Sequence, residues 1–148
     1  MSALNILLVD GNRNLVTTLS DGLRKAMGKA ISVAVCFSGS EALSMLATQR
    51  FDVVISDFNI PDASGLELMN KIRQDYRETI LILTTAYGTD ALEEEVHRLG
   101  IGYITKPIGP SLLVQFIHDL IHGKVTMNGK ENAPRILTPD PEGSAGMP

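Results

Sequence analysis

Two carboxylates, a pair of threonines and a lysine each stand at the C-terminal end of a short apolar run. Asp10 follows 4–9, Asp57 follows Val53, Val54 and Ile55 by one residue, Thr84 closes the run 79–84 with Thr85 next, and Lys106 follows Tyr103, Ile104 and Thr105. Two neighbouring carboxylates repel unless a proton or cation intervenes, so Asp10 and Asp57 together make a place for a hard divalent cation such as Mg²⁺. A lysine ammonium opposite them adds a second positive charge, and the Thr85 hydroxyl with free backbone N–H groups completes a pocket for a tetrahedral dianion. Such an inventory suits phosphoryl transfer, where catalysis is mostly positioning and charge neutralisation. Asp57, the best centred carboxylate, is then the nucleophile, and it forms an acyl phosphate. The plain structural alternative makes Asp57 a helix cap, but Asn59, Asp62 and Ser64 are nearer the helix start at Gly65 and Leu66.

The chemistry needs elements that bring these ends together. Residues 4–9, 31–37, 53–57, 79–84 and 103–105 are apolar and rich in β-branched side chains, as strands buried on both faces are. Between them run helical periodicities. Leu15, Val16, Leu19, Leu23, Ala26 and Met27 make one stripe, ended by Gly28. Ala42, Leu43, Leu46 and Ala47 make a second, and Leu66, Met69 and Ile72 a third, running to about Tyr76. A fourth helix over 90–99 carries only Leu92, Val96 and Leu99 beside the acidic run Glu93, Glu94 and Glu95, so it should be loosely held. A fifth opens at Pro110 and Ser111 and has Gly123 as its stop. Five strands alternating with five helices predict an α/β fold, a doubly wound parallel sheet of flavodoxin-like type with strand order 2-1-3-4-5. In that order Asp10, Asp57, Thr84, Thr85 and Lys106 meet at one rim.

At 148 residues the chain suits one domain, read as 1–123, followed by a tail or linker over 124–148 that has little apolar periodicity and contains Pro134, Pro139, Pro141 and Pro148. A net charge of -4 argues against a direct nucleic-acid grip by this chain, and no apolar run suggests a membrane span or secretion signal, so a cytoplasmic protein is expected. Cys36 lies in a strand-like run, where a buried inert thiol is the ordinary meaning. Met27, Met45 and Met69 read as core filler. A flavin-binding fold of the same topology would need a phosphate loop after the first strand, where Asp10 stands instead.

Val9-Asp10, Ser56-Asp57-Phe58-Asn59-Ile60-Pro61 through Gly65, Thr85-Ala86 and Tyr103-Ile104-Thr105-Lys106-Pro107 together resemble the receiver domain of two-component response regulators over Asn5 to about His122. Thr85-Ala86-Tyr87-Gly88-Thr89 looks most like the nitrogen-regulator subgroup. The resemblance implies that Asp57 accepts a phosphoryl group from a histidine kinase or phosphotransfer protein. Lys106 would pair with one phosphoryl oxygen, Thr85 would move to another, and Tyr103 would swing inward, re-forming the surface of helix four, strand five and helix five for an output partner or a homodimer. It further implies a cis Lys106–Pro107 bond. Mg²⁺ would be held by Asp10, Asp57 and the backbone carbonyl of Asn59, with the side chains of Asn59 and Tyr87 flanking the phosphoryl group. Any enzymatic activity is at most Mg²⁺-dependent self-phosphorylation and self-dephosphorylation at Asp57.

One position departs from the pattern. Receivers end strand one with two acidic residues, and the second normally ligates Mg²⁺; here Gly11 takes that place, followed by Asn12. Weaker Mg²⁺ binding than in a typical receiver is expected, with Asn12 or a water as possible substitutes. Two readings follow: a phosphoacceptor switch that retains its chemistry, and an atypical receiver acting as a phosphorylation-independent interaction module. Elsewhere, His118 and His122 have metal-binding spacing on the last helix but no third ligand, and Glu93 to Glu95 reads as a solvated face bordering the output surface.

Overall fold

The computed structural model describes residues 3–121; the expected tail 124–148, His122 and the Gly123 stop lie outside them. Five strands and five helices alternate: β1 (Leu4–Val9), α1 (Arg13–Met27), β2 (Ile31–Cys36), α2 (Gly39–Thr48), β3 (Val53–Asp57), α3 (Gly65–Asp75), β4 (Ile80–Thr85), α4 (Asp90–Arg98), β5 (Gly102–Thr105) and α5 (Pro110–Ile121). The sheet is parallel throughout, in the order β2-β1-β3-β4-β5. The expected doubly wound fold is therefore present. No helix among the described residues is long and apolar enough to cross a membrane.

Alternation along each strand divides the core into two layers. Leu7, Val9, Val54, Leu81 and Leu83 face one way and pack with Met69, Ile72, Val96 and Tyr103. Ile6, Leu8, Val53, Ile55 and Ile82 face the other and pack with Leu23, Leu113, Phe116 and Ile117. Because helices cover both faces, the central strands are apolar at nearly every position, which is why they read as continuous runs rather than alternating ones.

The boundaries move by a residue or so where polar groups intervene. β2 stops at Cys36 because the Phe37 N–H turns to Glu41 Oε1 at 2.7 Å. β4 starts after Thr79, whose hydroxyl donates to the Phe51 carbonyl, and runs on through Thr85, which pairs with Thr105. Ala26, expected on the buried stripe of α1, is exposed; Val16, Leu19, Ser20 and Leu23 carry that face. In α4 only Val96 is fully buried, in keeping with a thin apolar stripe, and Leu99, expected on that stripe, lies past the helix end and is exposed.

The turn from β3 into α3 is closely packed. Ser64 caps α3 through a reciprocal capping box with Glu67, so neither Asp57 nor Asp62 caps this helix. Gly65 donates its N–H to the Phe58 carbonyl at 2.6 Å, and a Cβ at Gly65 would collide with the Asp57 carbonyl and press on Leu83. Gly65→Ala should therefore cost about 1–3 kcal/mol of stability, the usual penalty for overpacking. Urea denaturation checks this; an unchanged midpoint would contradict the close approach.

Candidate functional site

Each residue of the expected rim is placed by the end of a different strand. Asp10 leaves β1 with its N–H on the Cys36 carbonyl at 3.2 Å, tied to β2. Asp57 is the last residue of β3, and the next N–H, that of Phe58, donates to the Thr84 carbonyl at 2.7 Å. Lys106 follows β5 with its N–H on the Thr85 carbonyl at 2.8 Å, and the Lys106–Pro107 peptide is cis.

The three charged side chains converge. Lys106 Nζ lies 3.0 Å from Asp10 Oδ2 and 3.1 Å from Asp57 Oδ1. All three are mostly withdrawn from water, with side chains 18, 11 and 12% exposed for Lys106, Asp10 and Asp57. One ammonium thus serves two carboxylates and leaves one negative charge uncompensated in a partly dry rim. Burial pushes the Asp57 carboxyl above its ordinary value. The hydrogen bond and charge of Lys106 work against that shift, the Asp10 charge reinforces it, and the Asn59 N–H favours the charged form. For Lys106, burial acts to lower the ammonium, but the hydrogen bonds and charges of Asp10 and Asp57 outweigh it and raise the group above its ordinary value.

The remaining Asp10 oxygen, Oδ1, accepts the Asn12 N–H at 2.8 Å, while Asn12 Oδ1 caps α1 by accepting the Leu15 N–H at 3.1 Å. Asn12 is thus occupied as a cap, which disfavours it as a substitute for the carboxylate missing at Gly11. Gly11 itself is exposed, and an added Cβ there would stand 3.3 Å from the Pro61 ring, so a side chain fits with a small shift of that ring. Among the described residues no three His, Cys, Asp or Glu side chains converge on one point. Two carboxylates with a residual negative charge nevertheless suit a sparse site for a hard cation.

Thr85 is buried at the same rim, and its hydroxyl accepts the Tyr87 N–H at 3.1 Å, so it faces its own loop rather than Asp57. Tyr103 is turned into the core layer beneath α4, its hydroxyl against Gly88, where a Cβ would collide with it. Its position is thus inward already. Burial raises the phenol, the Glu93 charge adds to that, and the Thr89 backbone opposes it. Tyr87 is 81% exposed and Asn59 is also exposed, so both side chains stand in solvent beside the rim. Cys36 is buried and its thiol is pushed up to about 11, by burial first and by Glu41 next, in keeping with an inert role. His118 is about half exposed, and in the Glu93 to Glu95 run Glu94 is exposed while Glu93 and Glu95 are half-buried. Two placements are not visible in the residue spacing: Gly88 leaves room for the Tyr103 hydroxyl, and Asp62, near the start of α3 in sequence, binds α2 instead.

The model of the response regulator receiver domain matches residues 6–118. The chain belongs to that family. Among similar proteins, the response regulator protein FleR of Pseudomonas aeruginosa is 34% identical over 138 residues, covering 93% of this chain and 28% of FleR. The transcriptional regulatory protein GlrR of Escherichia coli is 28% identical, covering 93% of this chain and 30% of GlrR. This receiver therefore spans under a third of either relative. Among solved structures, chemotaxis response regulator CheY4 of Vibrio cholerae superposes with a TM-score of 0.71 at 27% identity, covering 80% of this chain and 98% of CheY4. The BeF3-activated receiver domain of DrrB gives 0.71 at 26% identity, with 81 and 98% covered. Receivers of this family generally bind Mg²⁺ at the phosphorylation site.

The raised Asp57 carboxyl has a consequence for stability. A group that binds its proton more tightly when folded favours the fold below its unfolded pKa and loses that advantage as pH rises through the folded value. Asp57→Asn should therefore be more stable than the parent at neutral pH, with the difference shrinking as the pH falls toward the ordinary carboxylate value. Urea titrations at a series of pH values test this, and a less stable variant at neutral pH would contradict it.

Proposed function

We propose that this receiver is a phosphoacceptor switch in which Asp57 takes the phosphoryl group. The observation that carries the reading is the single Lys106 ammonium held within hydrogen-bond distance of both Asp10 and Asp57 at the C-terminal edge of the sheet. An Asp57 carboxylate oxygen attacks phosphorus, the phosphorus–nitrogen bond to the donor histidine breaks, and the imidazole leaves. Lys106 turns from the carboxylates to a phosphoryl oxygen, and Thr85 exchanges the Tyr87 N–H for another. Tyr103, packed beneath α4, then fixes the new position of the loop that α4 follows, and so carries the change to the α4, β5 and α5 surface. Thin burial of α4 supports this, since an element held chiefly by Val96 moves at small cost.

Asp10, Asp57 and the Asn59 carbonyl are the groups to hold Mg²⁺, which supplies, when bound, positive charge against the attacking and transferred oxygens. With Gly11 in place of an acidic residue, binding weaker than in a typical receiver is expected. The partners are a histidine kinase or phosphotransfer protein on the input side. On the output side they are an effector domain reached through a linker after about residue 123, or a second copy of the chain; the much greater length of FleR and GlrR supports the first. A cytoplasmic setting and membership of the nitrogen-regulator-like subgroup belong to the same reading.

The second reading, a phosphorylation-independent interaction module, draws on two observations: Gly11 contributes no carboxylate, and Lys106 already engages both of those present. Incubation with acetyl phosphate and MgCl₂ followed by intact-mass measurement separates the two. A one-phosphoryl mass increase absent from Asp57→Asn, and reached at lower Mg²⁺ concentration in Gly11→Asp, is the expected result. No adduct in the parent at any Mg²⁺ concentration would leave the interaction module standing.

A further inference from the structure

Between β3 and α3 the chain makes a miniature hairpin in which Asn59 pairs with Ser64 and Ile60 with Ala63, leaving Pro61 and Asp62 at the tip. A ladder of two residue pairs has little stability of its own. At its base it is fixed by the Phe58 and Gly65 N–H bonds. At its tip, the Asp62 carboxylate reaches a different helix: Oδ1 accepts the Gly39 N–H at 2.8 Å and Oδ2 the Ser40 N–H at 2.9 Å, so two first-turn donors of α2 are bound from more than twenty residues away. The Gly39 N–H holds this carboxylate below the ordinary range, with Ser40 next, so it stays charged at neutral pH. Gly39 leaves room for the docking, since an added Cβ would stand 3.2 Å from Ile60 Cδ1 and 3.3 Å from Asp62 Oδ1. Ile60 is buried in the core, and the Pro61 ring lies over Gly11.

Asn59 is thus held between two anchors, the strand end at Asp57 and the tip at Asp62. We infer that Asp62 is a positioning residue for the Mg²⁺ and phosphoryl site: by clamping the hairpin to the N-terminus of α2, it fixes the Asn59 main chain beside Asp57. This rests on the reading of Asp57 and Asn59 given above. The clamp bears more weight here than it would in a site with a second acidic residue after β1, because Gly11 leaves the Asn59 carbonyl as one of few donors. Releasing the tip adds backbone freedom at Asn59 without touching either carboxylate or Lys106.

The test uses the full 148-residue chain as parent, Asp62→Ala and Asp62→Asn. It combines amide exchange at Gly39 and Ser40, calorimetric titration with MgCl₂, and labelling by acetyl phosphate. In Asp62→Ala the two amides should exchange faster, Mg²⁺ affinity should fall by about tenfold, the size of effect of groups that orient metal ligands, and labelling should slow but recover at high Mg²⁺. Asp62→Asn, which keeps one acceptor oxygen, should lie between, and it carries the comparison if the alanine variant does not fold. Faster exchange with parental Mg²⁺ affinity would reduce Asp62 to a purely structural clamp and overturn the inference, as would a parent that binds no Mg²⁺. A parent that binds Mg²⁺ but takes up no phosphoryl group defeats only the phosphoacceptor reading, and the affinity comparison still decides for or against Asp62.

Discussion

One lysine ammonium shared by two carboxylates is the constraint on which the rest depends. Asp10 and Asp57 end adjacent strands whose register is fixed by core residues above and below the sheet, so neither can retreat from the other. Lys106 arrives from the far side of β4, carried by β5. Its charge lowers the repulsion but does not remove it, because three ions at one partly dry rim sum to a net negative charge. A site in that state is ready for a further cation and, with it, a dianion. Much of the surrounding structure serves to keep it so: the Gly65 close approach, the α1 cap at Asn12, and the hairpin clamped at Asp62 each fix a segment that follows a strand end.

Thr85 is bound to its own loop through Tyr87, and Tyr103 fits beneath α4 only because Gly88 has no side chain. The loop from Thr85 to Thr89 therefore lies between the rim and the least buried helix of the fold. Moving Thr85 toward a phosphoryl oxygen would break one hydrogen bond and shift a loop against Tyr103, with little apolar burial opposing the displacement of α4. That contrasts with α1 and α5, which are anchored by Leu23, Leu113 and Ile117.

The fold and the converging charges were legible because both rest on strong local signals. Apolar runs such as Leu81 to Leu83 can hardly be anything but central strands in a sheet covered on both faces, and parallel topology brings their polar ends together. Long-range side-chain placement was not legible. Asp62, three residues before Gly65, has the local look of a cap for α3, yet Ser64 with Glu67 takes that place and Asp62 crosses to α2. Ala26 has roughly the right spacing for the α1 stripe but lies off the face carried by Val16, Leu19 and Leu23, and is exposed while its neighbour Met27 still packs on the core. Nor does spacing reveal that Asn12, a conceivable ligand, is engaged as a cap.

The shared-lysine arrangement is tested most directly by titrating the Asp57 side-chain carboxyl by carbon NMR in the parent chain and in Lys106→Met. The parent should titrate above the ordinary carboxylate value, and removal of the ammonium should raise it further, since burial and Asp10 then act unopposed by that charge. An Asp57 carboxyl that titrates at or below its ordinary value in the parent, and does not move when Lys106 is replaced, would contradict the arrangement.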